Sequence, residues 1–318
     1  MRARGAADWR LRTALLGGLL ALVMTAGIVQ AMPPAVQANK SQSQTAPYTP
    51  VIPPRPTSAP TLALTPVPGA VTGFVSQAHA AGSCGFALLS KGPAAPVGQC
   101  TVLEIGDSLG NDLGWGLQRE VAAGSGITLV QADTSSTGLA NSAFYDWPAV
   151  LAADLKKYHP QLVLISLGGN DEQGMDLPGG PVQFPSAAWQ TAYLARVTGL
   201  VNEAVSSGAY VLWVGMPIMG PPSYNQGMQI LDSLYQESVS SEPNATFVST
   251  WSLFSNPQGA FQSTAVVNGQ SQTVREPDGI HYSYAGENVL ATYVLQEMAL
   301  IYHVQLSPQN PAQITSWQ

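Results

Sequence analysis

The sequence predicts an α/β domain built on a parallel β-sheet with helices on both faces. Short β-rich apolar runs alternate with longer segments of helical spacing from Thr101 to the carboxyl terminus. The polar and glycine-rich clusters fall directly after those apolar runs, where the strand ends of such a sheet gather ligands. One stretch, Thr101-Val-Leu-Glu-Ile-Gly-Asp-Ser-Leu-Gly110, shows the whole unit, a buried strand running through a turn into a helix.

The segments ahead of that stretch are of another kind. Arg2, Arg4, Arg10 and Arg12 precede an uncharged run from Thr13 to Val29, and Val29-Gln-Ala31 offers small residues where an export signal is cut. Residues 1–31 therefore read as a signal peptide or, uncut, as a membrane anchor with its arginines inside. Residues 32–83 are rich in Pro, Ala, Ser and Thr, with Pro53-Pro54-Arg-Pro56 near the centre. Such a segment buries too little apolar surface to offset its ordering entropy, so a disordered tether is expected. Residues 84–318 form the expected folded domain, placed outside the cytoplasm. In that compartment Cys84 and Cys100, the only two cysteines, are most simply a disulfide pinning the entry to the first strand. With only His79 nearby they do not make a metal site.

Charge narrows the partners. Charged residues make up 10% of the 318 residues, low against a typical ~25%. From Cys100 onward there are 18 acidic residues against five basic ones, Arg119, Lys156, Lys157, Arg196 and Arg275. A body this acidic argues against nucleic acid and anionic membrane surfaces as partners. Sparse charge with few lysines also suits an acidic medium.

Within the domain the apolar runs are Thr101–Ile105, Thr128–Gln131, Leu162–Leu167, Tyr210–Val214 and Thr246–Ser249. Helical patterns fill Asp112–Ala123, Trp147–Tyr158, Ala187–Ser207, Gly227–Ser240 and Ala285–His303. After the first run comes Gly106-Asp-Ser108, and after the second Thr134-Ser-Ser-Thr-Gly138-Leu139. Gly168-Gly-Asn170-Asp171 follows the third, and Asp278-Gly-Ile-His281 precedes the last helix.

These clusters supply the parts of an acyl-transfer site. Ser108 at a helix amino end would sit among unpaired backbone N–H groups and the positive end of the dipole. A serine needs a base and the base an orienting acid. Among the four histidines His281 has the right place, and Asp278, three residues earlier, can fold back onto its ring. Fixed donors for an oxyanion are available from the backbone N–H of Ser108, that of Gly138, where glycine permits close approach or positive φ, and the side-chain amide of Asn170. Each taken singly is also an ordinary turn or cap residue; their order at successive strand ends is what favours chemistry.

The blocks Gly106-Asp-Ser-Leu109, Gly138, Gly168-Gly-Asn-Asp171 and Asp278-Gly-Ile-His281 resemble the SGNH hydrolases, also called GDSL esterases and lipases, over about residues 100–304. That resemblance implies a flavodoxin-like three-layer α/β/α sandwich with a parallel central sheet. It implies Ser108 as nucleophile, His281 as base, Asp278 as orienting acid, an oxyanion hole from Ser108, Gly138 and Asn170, and no cofactor. Ser136-Thr-Gly-Leu139, Phe144-Tyr-Asp-Trp147, Trp213-Val-Gly-Met-Pro217 and Arg275 are similar to an exported bacterial subgroup of uncharacterised function. That similarity implies O-acetyl esters of envelope polysaccharide or peptidoglycan as substrates.

Other residues carry expectations of their own. Tyr145, Trp147, Met216 and Tyr282 are candidates for a substrate rim, with core packing as the equal or better alternative for Tyr145, Trp147 and Met216. Asp107 is expected to cap the helix after the nucleophile, and Asp171 to fix the turn or the Asn170 amide. The Gly174–Pro185 loop is long enough to contribute a lid. The expected partners are acylated carbohydrate or a small ester, with membrane contact only through the N-terminal segment and the chain acting as a monomer. An acyltransferase using the same residues, or an inactive tethered carbohydrate-binding domain, remains as an alternative.

Overall fold

A computed structural model describes residues 84–87 and 93–318. The expected signal or anchor and nearly all of the expected tether lie outside the described residues.

Five parallel strands make the central sheet: β1 (Cys100–Gly106), β2 (Ile127–Gln131), β3 (Leu162–Ser166), β4 (Tyr210–Val214) and β5 (Ala245–Val248). They lie in the order β2-β1-β3-β4-β5. Each bound is within one residue or so of the sequence expectation, because a strand covered on both faces must be continuously apolar. All five residues of β3 are buried, whereas β2 at the edge is half-buried.

The helices follow from that order. They are α1 (Ser108–Glu120), α2 (Trp147–Tyr158), α3 (Ala187–Ser206), α4 (Pro222–Ser240) and α5 (Tyr284–Ile301). Crossing from β1 to β2 runs one way along the sheet and the next three crossings run the other way. Right-handed connections then put α1 on one face and α2, α3 and α4 on the other. The packing agrees: α1 lies against α5, while α2 packs on α3 and α3 on α4. This is the three-layer α/β/α sandwich with flavodoxin-like strand order. The direction of winding reverses between β1 and β3, so the loops after these two strands diverge and leave a crevice. Ser108 follows β1 and Asn170 follows β3.

Two helices start earlier than their periodicity suggests. The first begins at Ser108 itself because Asp107 caps it, its carboxylate accepting from the Leu109 N–H at 2.9 Å. The fourth begins at Pro222, where a missing N–H costs nothing in a first turn. Small antiparallel pieces lie outside the sequence expectation. Residues 175–177 and 180–182 form a hairpin in the loop expected as a lid. Thr264–Val267 pairs with Gln270–Thr273 on one side and with Ile314–Trp317 on the other. The half-polar sequence Gln270-Ser-Gln-Thr273 gives no strand signal, since its partners and not its own apolar pattern place it.

Cys84 and Cys100 form a disulfide that closes a 16-residue separation onto the first residue of β1. A loop of that length stabilises the fold by roughly 3 kcal/mol on chain-entropy grounds.

Candidate active site

The crevice holds a continuous relay. Ser108 Oγ lies 2.8 Å from His281 Nε2, and His281 Nδ1 lies 2.7 Å from Asp278 Oδ2. The second oxygen of Asp278 accepts from the backbone N–H groups of Ile280 at 2.7 Å and His281 at 3.0 Å. Partial burial would raise the Asp278 carboxyl. The hydrogen bonds from the His281 ring and the two N–H groups outweigh it and hold the group below its ordinary value. An ionised acid on Nδ1 fixes the tautomer that leaves Nε2 able to accept the Ser108 proton.

His281 is held in place by two residues that the motif blocks do not assign. Arg275 has no solvent exposure, and its guanidinium donates to the carbonyls of Ile218 at 2.6 Å and Ile280 at 2.5 Å. It also faces the ring of Tyr282 at 4.9 Å. It thus grips the turn carrying His281 through main-chain oxygens that would otherwise be buried without donors. Asp112, one turn along α1 from Ser108, accepts from the Tyr282 N–H at 2.9 Å. Ser108 and His281 are thereby tied to the same helix. Burial, opposed by that hydrogen bond and by His281, raises Asp112 to about 7.

The three candidate oxyanion donors lie at the start of α1 and on two loops, cross-linked by two buried carboxylates. Asp107 does more than cap α1: its other oxygen accepts from Gly168 N–H at 3.0 Å and Gly169 N–H at 2.7 Å. The turn before Asn170 is thereby joined to the start of the nucleophile helix. Burial raises Asp107 to about 6 against the pull of those N–H groups. Asp171 accepts from Leu139 N–H at 3.0 Å, Ala140 N–H at 2.7 Å and the Tyr193 hydroxyl at 2.6 Å. It therefore holds the chain just after Gly138. Asn170 itself donates to the Thr137 carbonyl at 2.9 Å, which uses one of its two amide protons and leaves it adjoining the Gly138 loop.

Gly138 is needed for a reason other than φ. The left-handed residues near the crevice are Ser136, at φ 65°, Gly168, at φ 139°, and Gly279, at φ 70°. At Gly138 the constraint is space, because an added Cβ would lie 2.2 Å from Asp171 Oδ1.

The substrate-rim expectation is largely corrected. Trp147, Met216 and Tyr282 are buried and present no face to a ligand. Trp147 instead donates from Nε1 to Thr137 Oγ1 at 3.1 Å and so supports the Gly138 loop from beneath. Met216 is core, its N–H bonded to the Asp232 carboxylate at 2.7 Å, and Tyr282 packs against Phe254 and Arg275. Their aromatic and sulfur side chains fit a core as well as a rim, so residue type alone does not separate the two. Only Tyr145 keeps partial exposure, with its hydroxyl accepting from Thr134 Oγ1 at 2.9 Å. Among the described residues no group of three or more His, Cys, Asp or Glu is placed to hold a metal ion.

An α/β/α sandwich with a Ser-His-Asp relay at its topological switch point defines the class. The chain belongs to the family described as "Protein of unknown function (DUF459)", whose model matches residues 101–297. No curated protein matches it. Among solved structures it is similar to TesA, at 25% identity over 63% of this chain and 97% of that one, with a TM-score of 0.42. It is also similar to a catalytic mutant of Axe2, an acetylxylan esterase from Geobacillus stearothermophilus, at 20% identity over 66% and 99% of the two chains and a TM-score of 0.48. The psychrotrophic esterase EstA from Pseudoalteromonas sp. is matched at 18% identity over 64% and 98%, with a TM-score of 0.42. At these scores and identities the likenesses carry no activity over to this chain.

Proposed function

We propose that the protein is a serine esterase removing short acyl groups, chiefly acetyl, from carbohydrate outside the cytoplasm. The observation that carries this reading is the relay from Ser108 Oγ through His281 to Asp278, at 2.8 and 2.7 Å. Ser108 attacks the ester carbonyl as its proton passes to His281 Nε2. The resulting oxyanion is held by the Ser108 and Gly138 N–H groups and the remaining amide proton of Asn170. Collapse breaks the ester C–O bond, His281 returns the proton to the departing alcohol, and an acyl group is left on Ser108. Water, deprotonated by His281, then attacks that acyl-enzyme, and its collapse releases the carboxylic acid and restores the serine.

The disulfide and the basic, then apolar, amino-terminal sequence support a place outside the reducing cytoplasm. The partly exposed Tyr145 beside the Gly138 loop, with its hydroxyl turned to Thr134, supports a polar, ring-shaped substrate such as a sugar.

The test is hydrolysis of phenyl acetate and of O-acetylated polysaccharides by the wild type and Ser108→Ala. Loss of about six orders of magnitude in kcat is expected for removal of a triad nucleophile. A Ser108→Ala protein that retains acetyl-ester hydrolysis would overturn the reading. So would failure of the wild type to react with a fluorophosphonate. Supplying an acyl donor with an unacetylated glycan separates hydrolysis from transfer, since transfer would leave acyl groups on the glycan.

A further inference from the structure

The first helix carries surface groups that the ester chemistry does not use. Its core face is Leu109, Leu113 and Leu117. Helical spacing places Ser108, Asn111, Trp115 and Arg119 together on the opposite, outward stripe. Trp115 is 47% exposed and Tyr284, at the start of α5, is 66% exposed, unusual values for such large rings. The segment after His281 runs beside this stripe. Its Tyr282 N–H meets Asp112, and the Arg119 guanidinium lies over one face of its Tyr284 ring, 4.2 Å from the centroid. Beyond them opens a cavity of about 500 Å³ lined by Arg119, Asn268, Gln272, Tyr284, Asn288 and Asn310. By helical rise Trp115 is ~10 Å and Arg119 ~16 Å along the axis from Ser108.

The lining selects a kind of ligand. Arg119 is ion-paired to Glu287 and donates from Nε to Asn288 Oδ1 at 2.6 Å. Glu120 accepts from the Asn310 N–H at 2.7 Å. Positive charge is thus balanced, which disfavours a phosphate or uronate. What remains is exposed aromatic faces followed by the carboxamides of Gln272 and Asn310, each able both to donate and to accept, while those of Asn268 and Asn288 are already engaged by Pro311, Gln313 and Arg119. Pyranose rings present C–H faces to aromatic rings and hydroxyls to amides. We propose that Trp115, Tyr284 and this cavity form a groove for a neutral oligosaccharide whose acylated unit sits at Ser108. This rests on the esterase reading for the catalytic end and adds the subsites that recognise the chain beyond it.

The kinetic test uses partially O-acetylated xylo- and chito-oligosaccharides of increasing length, with phenyl acetate as reference ester. In the wild type kcat/KM should rise with chain length until the cavity is reached. In Trp115→Ala and Tyr284→Ala the ratio of long-oligosaccharide to phenyl acetate kcat/KM should fall roughly tenfold, about 1.4 kcal/mol, chiefly through KM. Unfolding midpoints close to wild type would show that both variants fold. A ratio unchanged in both, or wild-type rates independent of length, overturns the proposal. Direct binding separates its failure from that of the esterase reading. Unacetylated xylo-, cello- and chito-hexasaccharides are titrated into the Ser108→Ala protein while tryptophan fluorescence is followed. Binding that is lost on adding Tyr284→Ala supports the groove even if no glycan ester is cleaved. Absence of binding to all three at millimolar concentration refutes it even if phenyl acetate is a good substrate.

Discussion

The carboxylate of Asp171 occupies the space that any side chain at position 138 would need. An added Cβ at Gly138 would lie 2.2 Å from Oδ1, which already accepts from Ala140 at 2.7 Å, while Oδ2 is held by Tyr193 at 2.6 Å. The acid cannot swing aside without losing buried donors, so Gly138→Ala must displace the loop instead. Removing one oxyanion donor costs about 10²–10³ in kcat. A loss of that size is expected on phenyl acetate, with KM much less affected. Near wild-type kcat in the Gly138→Ala protein would show that the Gly138 N–H takes no part in catalysis.

Asp107 offers a sharper separation of capping from cross-linking. Asparagine in its place can still accept from the Leu109 N–H through one oxygen, but its NH₂ cannot accept from Gly168 and Gly169. Leaving such donors unpaired costs about 1–3 kcal/mol. Asp107→Asn is expected to lower kcat by at least tenfold through disorder of the Asn170 turn, and Asp107→Glu should not restore it. Kinetics of all three forms on one ester would decide the matter. If Asp107→Asn matched the wild type, capping alone would account for the residue.

Arg275 is a buried cation satisfied by carbonyl oxygens of Ile218 and Ile280. Lysine lacks the planar fork that reaches both. Both Arg275→Lys and Arg275→Met are expected to lower the unfolding midpoint by several degrees, since a loss of 1 kcal/mol corresponds to roughly 2–4 °C in a domain of this size. They should also weaken catalysis by loosening the turn that carries His281. Thermal unfolding together with kcat for the lysine variant checks this; a fully active Arg275→Lys protein would contradict it.

Stability should decline from mildly acidic to mildly basic pH. Burial raises Asp112 and Asp232 each to about 7, and Asp107 to about 6, all above unfolded values of about 4. The folded state therefore holds protons that the unfolded state has released. The stabilisation is complete below about pH 4 and is lost as pH rises through about 7. Asp278 acts in the opposite sense, its lowered value favouring the fold until acid protonates it, but it is largely exposed and its share is small. Unfolding midpoints should thus be higher at pH 5 than at pH 8. Asp232→Asn, which can still accept from the Met216 N–H, should flatten the difference. A midpoint that climbed from pH 5 to pH 8 would contradict the assignment.

Much of this architecture is legible in the amino-acid order, for a physical reason. A strand covered on both sides must be continuously apolar, so Val102–Ile105 and Leu162–Ile165 announce themselves, and chain reversals at their ends require glycine or polar caps. Ser108 and Asn170 stand at those ends, Asp278 and His281 just ahead of the last helix, and their order along the chain makes them candidates. Burial is not legible in the same way. Trp147 and Tyr282 could serve a core or a ligand equally well, and only packing assigns them to the core. The cross-linking by Asp107, Asp112 and Asp171 is hidden for a related reason. Their partners are backbone N–H groups, which leave no trace in residue identity, and lie up to 170 positions away. The exposed stripe of Trp115 and Tyr284 is likewise invisible, because an isolated aromatic on a helix reads as core until its neighbours are known.

The Cys84–Cys100 bond has a mechanical consequence. It fastens the chain that precedes Cys84 to the first residue of β1, while Ser108 stands just past the last. A pull arriving from the amino-terminal side therefore enters through a covalent link at the foot of β1, hydrogen-bonded along both edges to β2 and β3. A load directed along the strand would be shared as shear across those ladders, at the end of β1 farthest from Ser108.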